Sequence, residues 1–308
     1  MTLLFHCPWE NAAIWRAELS AALAGEDLVE LSAGDPQAEA AVVWKPPAAA
    51  FRRAPNLKLI CALGAGVEDM ILGAEALPEG VRLTRLVDPV MAERMALYVL
   101  ATVLRKHRDL DRYERQQRAR RWLRVFHADA AVTKVAVLGQ GSLGRAVTGK
   151  LAAAGFQVAG WARSPRPGAP WPVLTGPSGL QRAVADAAFV VAVLPLTSET
   201  EGLLAAPLFA AMAEGAYLVN VGRGAQLVED DLLAALDRKH LSGAALDVFA
   251  EEPLSAESPL WARPEILITP HVASLSNPAS GARALAAEIE SFRANGSLQH
   301  EVFPARQY

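Results

Sequence analysis

The sequence predicts an α/β protein of two domains, each a Rossmann-like or flavodoxin-like parallel sheet, with a cleft between them. Three observations lead there. Short apolar runs alternate with longer segments of helical period along most of the chain, the pattern of a parallel, doubly wound sheet. One strand–helix–strand unit, Thr133 to Ser164, carries Gly139, Gly141 and Gly144 in G-x-G-x-x-G spacing. The length, 308 residues of which 52% are hydrophobic and 20% charged, suffices for two cores.

In chain order, Leu3 to His6 reads as a strand, Glu10 to Ala24 as a helix, and Ala41 to Trp44 as a strand ended by Pro46 and Pro47. Leu57 to Leu63 is a third strand, followed by the turn Gly64-Ala65-Gly66. Pro89 begins a long helical segment running past Arg105, with Met91, Met95, Tyr98 and Val99 at helical spacing. From Arg105 to Arg124 the chain carries nine Arg or Lys against three acids. Acids mixed among the bases and sparse aromatics argue for a solvated or subunit-contact helix rather than a nucleic-acid stripe. Trp122 near its end is costly to leave in water and favours an interface.

Val135 to Leu138 is a buried-type strand, Arg145 to Ala154 a helix and Gln157 to Gly160 the next strand. Ser164 to Gly179, with five prolines and three glycines, reads as a loop in which Val173 and Leu174 could add a short strand. A helix near Leu180 to Ala187 and strands Phe189 to Leu194 and Tyr217 to Val221 follow. Helix Glu229 to Arg238, strands Gly243 to Asp247 and Ile266 to Thr269, and a closing helix Asn277 to Asn295 complete the alternation.

Composition narrows the functions. A net charge of −3 argues against general nucleic-acid affinity. Cys7 and Cys61 form neither a disulfide framework nor a metal cluster, and six scattered histidines lack zinc-like spacing, so no metal is expected. No run reaches membrane-spanning length and the N-terminus lacks a signal-peptide pattern; the expected location is the cytosol, with no membrane partner.

The glycine stretch has the order a dinucleotide site needs. Gly139 permits the tight turn, Gly141 lets a pyrophosphate approach, and Gly144 lets helix and strand pack closely. The helix start, with Ser142 and Leu143, presents free N–H groups to the phosphates. An acid at the end of the next strand would hold the 2′-hydroxyl of NAD. Trp161, Ala162, Arg163 and Ser164 stand there instead, without a carboxylate. Arg163, read otherwise as a solvated surface charge, can pair with a 2′-phosphate, Ser164 can donate to it and Arg166 adds charge, so NADP(H) is preferred over NAD(H).

Ligands of open α/β sheets bind beyond the carboxyl ends of the strands. Four such ends carry special residues: Pro195-Leu196-Thr197, Gly222-Arg223-Gly224, Asp247 and Pro270-His271. These segments also carry a resemblance. VAVLPLTSETEGLL (Val191 to Leu204), LVNVGRGAQLVEDDLLAAL (Leu218 to Leu236), GAALDVFAEEPL (Gly243 to Leu254) and ITPHVAS (Ile268 to Ser274) resemble successive signatures of the D-isomer-specific 2-hydroxyacid dehydrogenases. LGAGVEDM (Leu63 to Met70) is similar to that family's substrate-domain loop. Within the family, VVWKPP (Val42 to Pro47) and GWARS (Gly160 to Ser164) look most like the glyoxylate/hydroxypyruvate reductases that prefer NADPH.

The resemblance implies a catalytic set of Arg223, Glu252 and His271. His271 would donate the proton that accompanies hydride transfer, Glu252 would hold its imidazole, and Arg223 would clamp the carboxylate and keto oxygen as charge develops. It puts the substrate carboxylate on backbone N–H groups of the Leu63 to Val67 loop, with Leu63, Gly64, Ala65 and Gly66 around it. Trp44 either walls that pocket or is a strand-end core residue. Leu194, Pro195, Thr200, Val221 and Gly222 would lie along the cofactor, and Asp247 would face its carboxamide. Glu68 stands where relatives often carry Asp. Arg94 stands where many carry an aromatic or a His, and either faces the substrate or is solvated.

The implied protein is a reductase of small 2-keto acids, glyoxylate or hydroxypyruvate, and a homodimer. Residues 1–98 with 275–308 would form the substrate domain and 99–274 the nucleotide domain. Rival readings are a dehydrogenase for another hydroxy acid, such as a phosphoglycerate-type substrate, or a dinucleotide-sensing regulator on the same fold.

Overall fold

The computed structural model describes residues 2–47, 50–71 and 77–307. Along the chain the elements are β1 (Thr2–His6), α1 (Ala12–Ala22), β2 (Asp27–Glu30), β3 (Ala40–Val43), β4 (Leu59–Ala62), α2 (Glu68–Ile71) and β5 (Arg82–Arg85). Then come α3 (Pro89–His107), α4 (Leu110–Arg118), β6 (Lys134–Leu138), α5 (Ser142–Ala153), β7 (Gln157–Ala162), β8 (Val173–Thr175) and α6 (Gly176–Val184). The rest are β9 (Phe189–Ala192), α7 (Ala206–Ala211), β10 (Ala216–Asn220), α8 (Glu229–Asp237), β11 (Leu241–Leu246), β12 (Ile266–Ile268), α9 (Pro278–Asn295) and β13 (Glu301–Val302).

The chain divides into two compact units, residues 1–91 with 276–308 and residues 92–275. Among the described residues of the first unit, six strands pair in the order β13-β5-β4-β3-β1-β2. All pair in parallel except β13, which runs antiparallel to β5. Without β13 this is the flavodoxin order. β3 and β4 are buried along their whole length, as strands covered on both faces must be. α1 and α9 pack together, and a Cβ on Gly281 of α9 would come within 2.4 Å of the Trp15 ring.

In the second unit seven parallel strands follow the order β12-β11-β10-β9-β6-β7-β8, the doubly wound Rossmann arrangement. The order reverses between β6 and β9, and a crevice beyond the strand ends at such a switch point is where this fold takes ligands. The sheet separates two apolar clusters, one holding Val137, Val147 and Val191, the other Leu138, Phe209 and Leu246. No helix among the described residues is long and apolar enough to cross a membrane.

Several expectations need correction. The helical segment from Pro89 does not continue to Arg124. It ends at His107, Asp109 takes a left-handed φ of 51°, α4 stops at Arg118, and Trp122 lies in irregular chain beyond it. Neither Gly nor Pro marks this break, so composition does not reveal it. The short strand expected at Val173 and Leu174 is present as β8, but α6 starts at Gly176 rather than near Leu180, with a proline in the first turn, where its missing N–H costs nothing. β2, β5, β13 and α7 were not expected. They are short, and half of the residues in β2 and β5 are charged, so no alternating period shows.

Candidate active site

At the end of β6 each glycine answers a different steric demand. Gly139 has φ of 101°, and a Cβ there would lie 2.5 Å from the Val193 carbonyl oxygen, just past β9 at the switch point. A Cβ on Gly144 would lie 1.9 Å from the Gly139 carbonyl oxygen, so helix α5 approaches the loop only without one. Gly141 is the opposite case. It is exposed and caps α5, and nothing lies within 4 Å of where its Cβ would be. That open space at the start of a 12-residue helix fits a pyrophosphate against unpaired N–H groups. Ser142 is exposed and Leu143 half-buried beside it.

Between the glycines, Gln140 turns inward and is 2% exposed. Its amide donates to Val137 O at 3.2 Å and Thr148 Oγ1 at 2.9 Å, and its oxygen accepts from Trp171 Nε1 at 2.9 Å. This ties the loop to α5 and to the proline-rich segment. Trp161, half-buried near the end of β7, spends its indole N–H on Gly176 O at 2.9 Å. Arg163 and Ser164 follow on the surface. Arg163 Nη1 lies 3.5 Å from Glu199 Oε2 on the loop after β9.

That loop is braced from beneath. Gln226, fully buried, donates through Nε2 to Leu194 O at 3.2 Å and Pro195 O at 2.9 Å, and its Oε1 accepts from Arg223 N at 3.1 Å. Thr200 Oγ1 donates to Pro195 O at 2.7 Å and accepts from Thr197 N at 2.9 Å, so its hydroxyl shapes the loop. Asn220, also fully buried, accepts from Gly222 N at 3.1 Å and donates to Arg223 O at 3.2 Å, holding the turn after Val221. The Arg223 guanidinium donates through Nη1 to Gly222 O at 2.7 Å. The next residue, Gly224, packs so closely that its Cβ would lie 1.8 Å from the Phe249 carbonyl carbon. The arginine loop therefore rests on the segment that carries Glu252.

Glu252 and His271 are brought together. His271 Nδ1 lies 2.8 Å from Glu252 Oε2, and Glu252 Oε1 accepts from Phe249 N at 3.0 Å. Both side chains remain open to solvent, 48% for His271 and 37% for Glu252. His271 has φ of 54°, a left-handed conformation that costs a non-glycine residue on the order of 1 kcal/mol. Its N–H donates to Asp247 O at 2.8 Å and Thr269 O at 3.1 Å. Asp247, 2% exposed, takes Thr269 Oγ1 at 2.6 Å and Val272 N at 2.9 Å on Oδ1, and Ala273 N at 2.9 Å on Oδ2. The carboxylate that the resemblance points toward the cofactor thus holds the histidine's turn.

In the first unit, Trp44 at the end of β3 lies flat against the expected substrate loop. A Cβ on Gly64 would sit 2.2 Å from the indole, so glycine is required there. Trp9 packs against Trp44 with centroids 5.2 Å apart and ring planes tilted by 40°, and Trp44 is half-buried. Leu63 is buried, and Ala65 and Gly66 are half-buried. Arg94 is exposed and donates to Leu275 O at 2.9 Å. Among the described residues no group of three His, Cys, Asp or Glu is placed to hold a metal.

Sequence reasoning missed Gln140, Asn220, Gln226, Thr269 and Tyr98 as parts of this architecture. The available signal was a polar residue inside an otherwise buried run: Asn220 ends the apolar strand β10, and Gln226 stands before Leu227.

Comparison with known proteins identifies the family. The sequence profile of the D-isomer specific 2-hydroxyacid dehydrogenase NAD binding domain matches residues 100–273. Glyoxylate/hydroxypyruvate reductase A of Serratia proteamaculans (strain 568) is 40% identical over 306 residues, 96% of each protein. The structure of a D-isomer specific 2-hydroxyacid dehydrogenase from Xanthobacter autotrophicus Py2, in complex with NADPH and MES, superposes with a TM-score of 0.95 at 40% identity, covering 100% of this chain and 99% of that one. An NADPH-dependent glyoxylate/hydroxypyruvate reductase from Sinorhizobium meliloti, in complex with NADP and sulfate, gives 0.90 at 34% identity with the same coverage. The chain belongs to the D-isomer-specific 2-hydroxyacid dehydrogenase family.

Proposed function

We propose that this protein reduces a small 2-keto acid, glyoxylate or hydroxypyruvate, to the 2-hydroxy acid using NADPH. The observation that carries the reading is the His271–Glu252 pair at 2.8 Å, on strand ends of the same unit that holds the glycine loop. Bound NADPH supplies the hydride. His271, held through Nδ1, delivers a proton from Nε2 to the developing alkoxide. Glu252 fixes the ring by accepting from Nδ1. Arg223 binds the carboxylate and keto oxygen, and its attraction grows as negative charge accumulates. Substrate contacts are assigned to Trp44 and Leu63 and to the backbone N–H groups of Gly64, Ala65 and Gly66; the Leu63 N–H itself donates to Val43 O at 2.9 Å.

The cofactor is assigned to the Gly139 to Gly144 loop for the pyrophosphate and to Arg163 and Ser164 for the 2′-phosphate. Leu194, Pro195, Val221 and Gly222 are assigned to its flank. The active form is a homodimer. Steady-state turnover with a panel of 2-keto acids and both nicotinamide cofactors tests the reading. Glyoxylate or hydroxypyruvate with NADPH should give the highest kcat/KM, and absence of turnover with every acid would overturn it.

A further inference from the structure

Behind His271 runs a chain of hydrogen bonds whose directions can be deduced. Asp247, accepting from Thr269 Oγ1, Val272 N and Ala273 N, acts only as an acceptor. The Thr269 hydroxyl has a single proton, and at 2.6 Å from Asp247 Oδ1 that proton goes to the carboxylate. The same Thr269 oxygen lies 2.6 Å from Tyr98 Oη on α3, so here the phenol must be the donor. Burial, the largest influence on Tyr98, pushes its phenol up and keeps the proton in place. The order is therefore Tyr98 to Thr269 to Asp247. Asp247 in turn grips His271 on both sides. Its main-chain oxygen holds the His271 N–H at 2.8 Å, while its carboxylate holds the next two N–H groups. A histidine in a left-handed conformation needs such a clasp to stay in place.

We propose that Tyr98 and Thr269 are positioning residues for His271, acting through Asp247 to keep the imidazole on Glu252 and aimed at the reacting oxygen. Neither hydroxyl touches substrate or cofactor in this role. The inference rests on the reading of His271 as proton donor. It adds that the donor's aim depends on a helix far from it in sequence.

Thr269→Val keeps the shape and removes the hydroxyl, Thr269→Ser keeps the hydroxyl, and Tyr98→Phe removes only the outer donor. Misplacement of a reacting group by a fraction of an ångström costs rate rather than binding. Thr269→Val is expected to lower kcat about 10-fold or more and Tyr98→Phe roughly 3- to 10-fold. In both, the NADPH Kd from fluorescence titration should stay within about two-fold, and the isotope effect with 4-deuterated NADPH should rise as chemistry becomes rate-limiting. Thr269→Ser should recover most of kcat. The Tyr98→Phe/Thr269→Val double variant should be no slower than Thr269→Val alone, because a chain broken once carries nothing further. If Thr269→Ser loses as much as Thr269→Val, or Tyr98→Phe turns over like wild type, the proposal fails. His271→Ala separates the two readings. Near-normal turnover there would remove His271 as donor, whereas a dead His271→Ala beside fully active Tyr98→Phe and Thr269→Val would remove only the positioning role.

Discussion

His271 and Glu252 meet at 2.8 Å although each is substantially exposed, and each is fixed by main-chain contacts of its own. Glu252 accepts from Phe249 N, and His271 donates to Asp247 O. The pair is thus preorganised by two separate loops rather than by mutual burial. An exposed ion pair would contribute little to stability, about 0–1 kcal/mol, so its function lies in orientation. His271→Ala should lower kcat by about 10²–10⁴ while leaving NADPH affinity within a few-fold. Glu252→Gln should weaken the hold on the ring and lower kcat, again with NADPH affinity little changed. Steady-state rates with cofactor titrations alongside measure both. A Glu252→Gln variant that turns over like wild type would remove the orienting role of Glu252.

Arg163 Nη1 lies 3.5 Å from Glu199 Oε2, so in the proposed function a 2′-phosphate would meet the arginine beside a carboxylate. A hydrogen bond to a charged group is worth roughly 1.5–3 kcal/mol, or about 10- to 150-fold in affinity. Arg163→Ala should reduce kcat/KM for NADPH by that order and barely affect NADH. Glu199→Gln should do the reverse on a smaller scale, lowering the KM for NADPH because the phosphate no longer displaces or faces a carboxylate. Equal losses for both cofactors in Arg163→Ala would count against a phosphate contact.

How much of this was readable in advance depends on how local the cause is. The three glycines were legible because their spacing falls between one strand and one helix, although only Gly144 meets its steric limit locally, at the Gly139 carbonyl oxygen; Gly139 meets the distant Val193 carbonyl and Gly141 faces open space. The roles given to Arg223, Glu252 and His271 come from the resemblance of their motifs and not from spacing, since Glu251 stands beside Glu252 and both lie well past the end of β11; the contact between Glu252 and His271 appears only in the fold. Gln226 was not, since its partners Leu194 and Pro195 are about thirty positions away. Tyr98 was read only as part of a helical stripe; its hydroxyl acquires meaning 171 residues later, at Thr269. Asp247 was legible as a residue at a strand end, but its three donors come from a turn that exists only once β11 and β12 pair. The helix break at Asp109 has no breaker residue to announce it.

Stability should carry an acid-sensitive contribution from the edge of the first sheet. Arg82 Nε and Nη2 donate to Glu301 Oε1 and Oε2 at 2.6 and 2.7 Å, tying β13 to β5. The hydrogen bond from Arg82 holds the Glu301 carboxyl below its ordinary range. A lowered folded-state value means the contribution is present above the unfolded value of about 4.3. It is lost as pH falls through the lower, folded value. Glu301→Gln should therefore melt about 1–3 °C below wild type at neutral pH, and the gap should close once the pH has fallen through the lowered folded-state value. A gap of the same size at both pH values would mean that the pair acts by packing rather than charge.

The segment after α4 should form a contact between two copies of the chain. Trp122 is 92% exposed, Phe126 96% and Leu123 58%, a contiguous apolar group of the kind that marks an interaction site. Its backbone is nonetheless held: Leu123 N donates to Gln116 Oε1 at 3.2 Å and Val125 N to Tyr113 Oη at 3.0 Å. The chain is fastened to α4 while its large side chains point away, the arrangement of a presented surface rather than a loose loop. Burying a large apolar side chain is worth roughly 1.5–3 kcal/mol. A two-fold symmetric contact counts each side chain twice, so Trp122 and Phe126 together offer about 6–12 kcal/mol before the costs of association. Light scattering at micromolar concentration should give the mass of a dimer for the wild type. Trp122→Ala/Phe126→Ala should shift it toward the monomer, with little change in thermal stability of the single chain because neither side chain is buried within it. A wild type that stays monomeric, or a double variant that keeps the dimer mass, would show that this surface has another use.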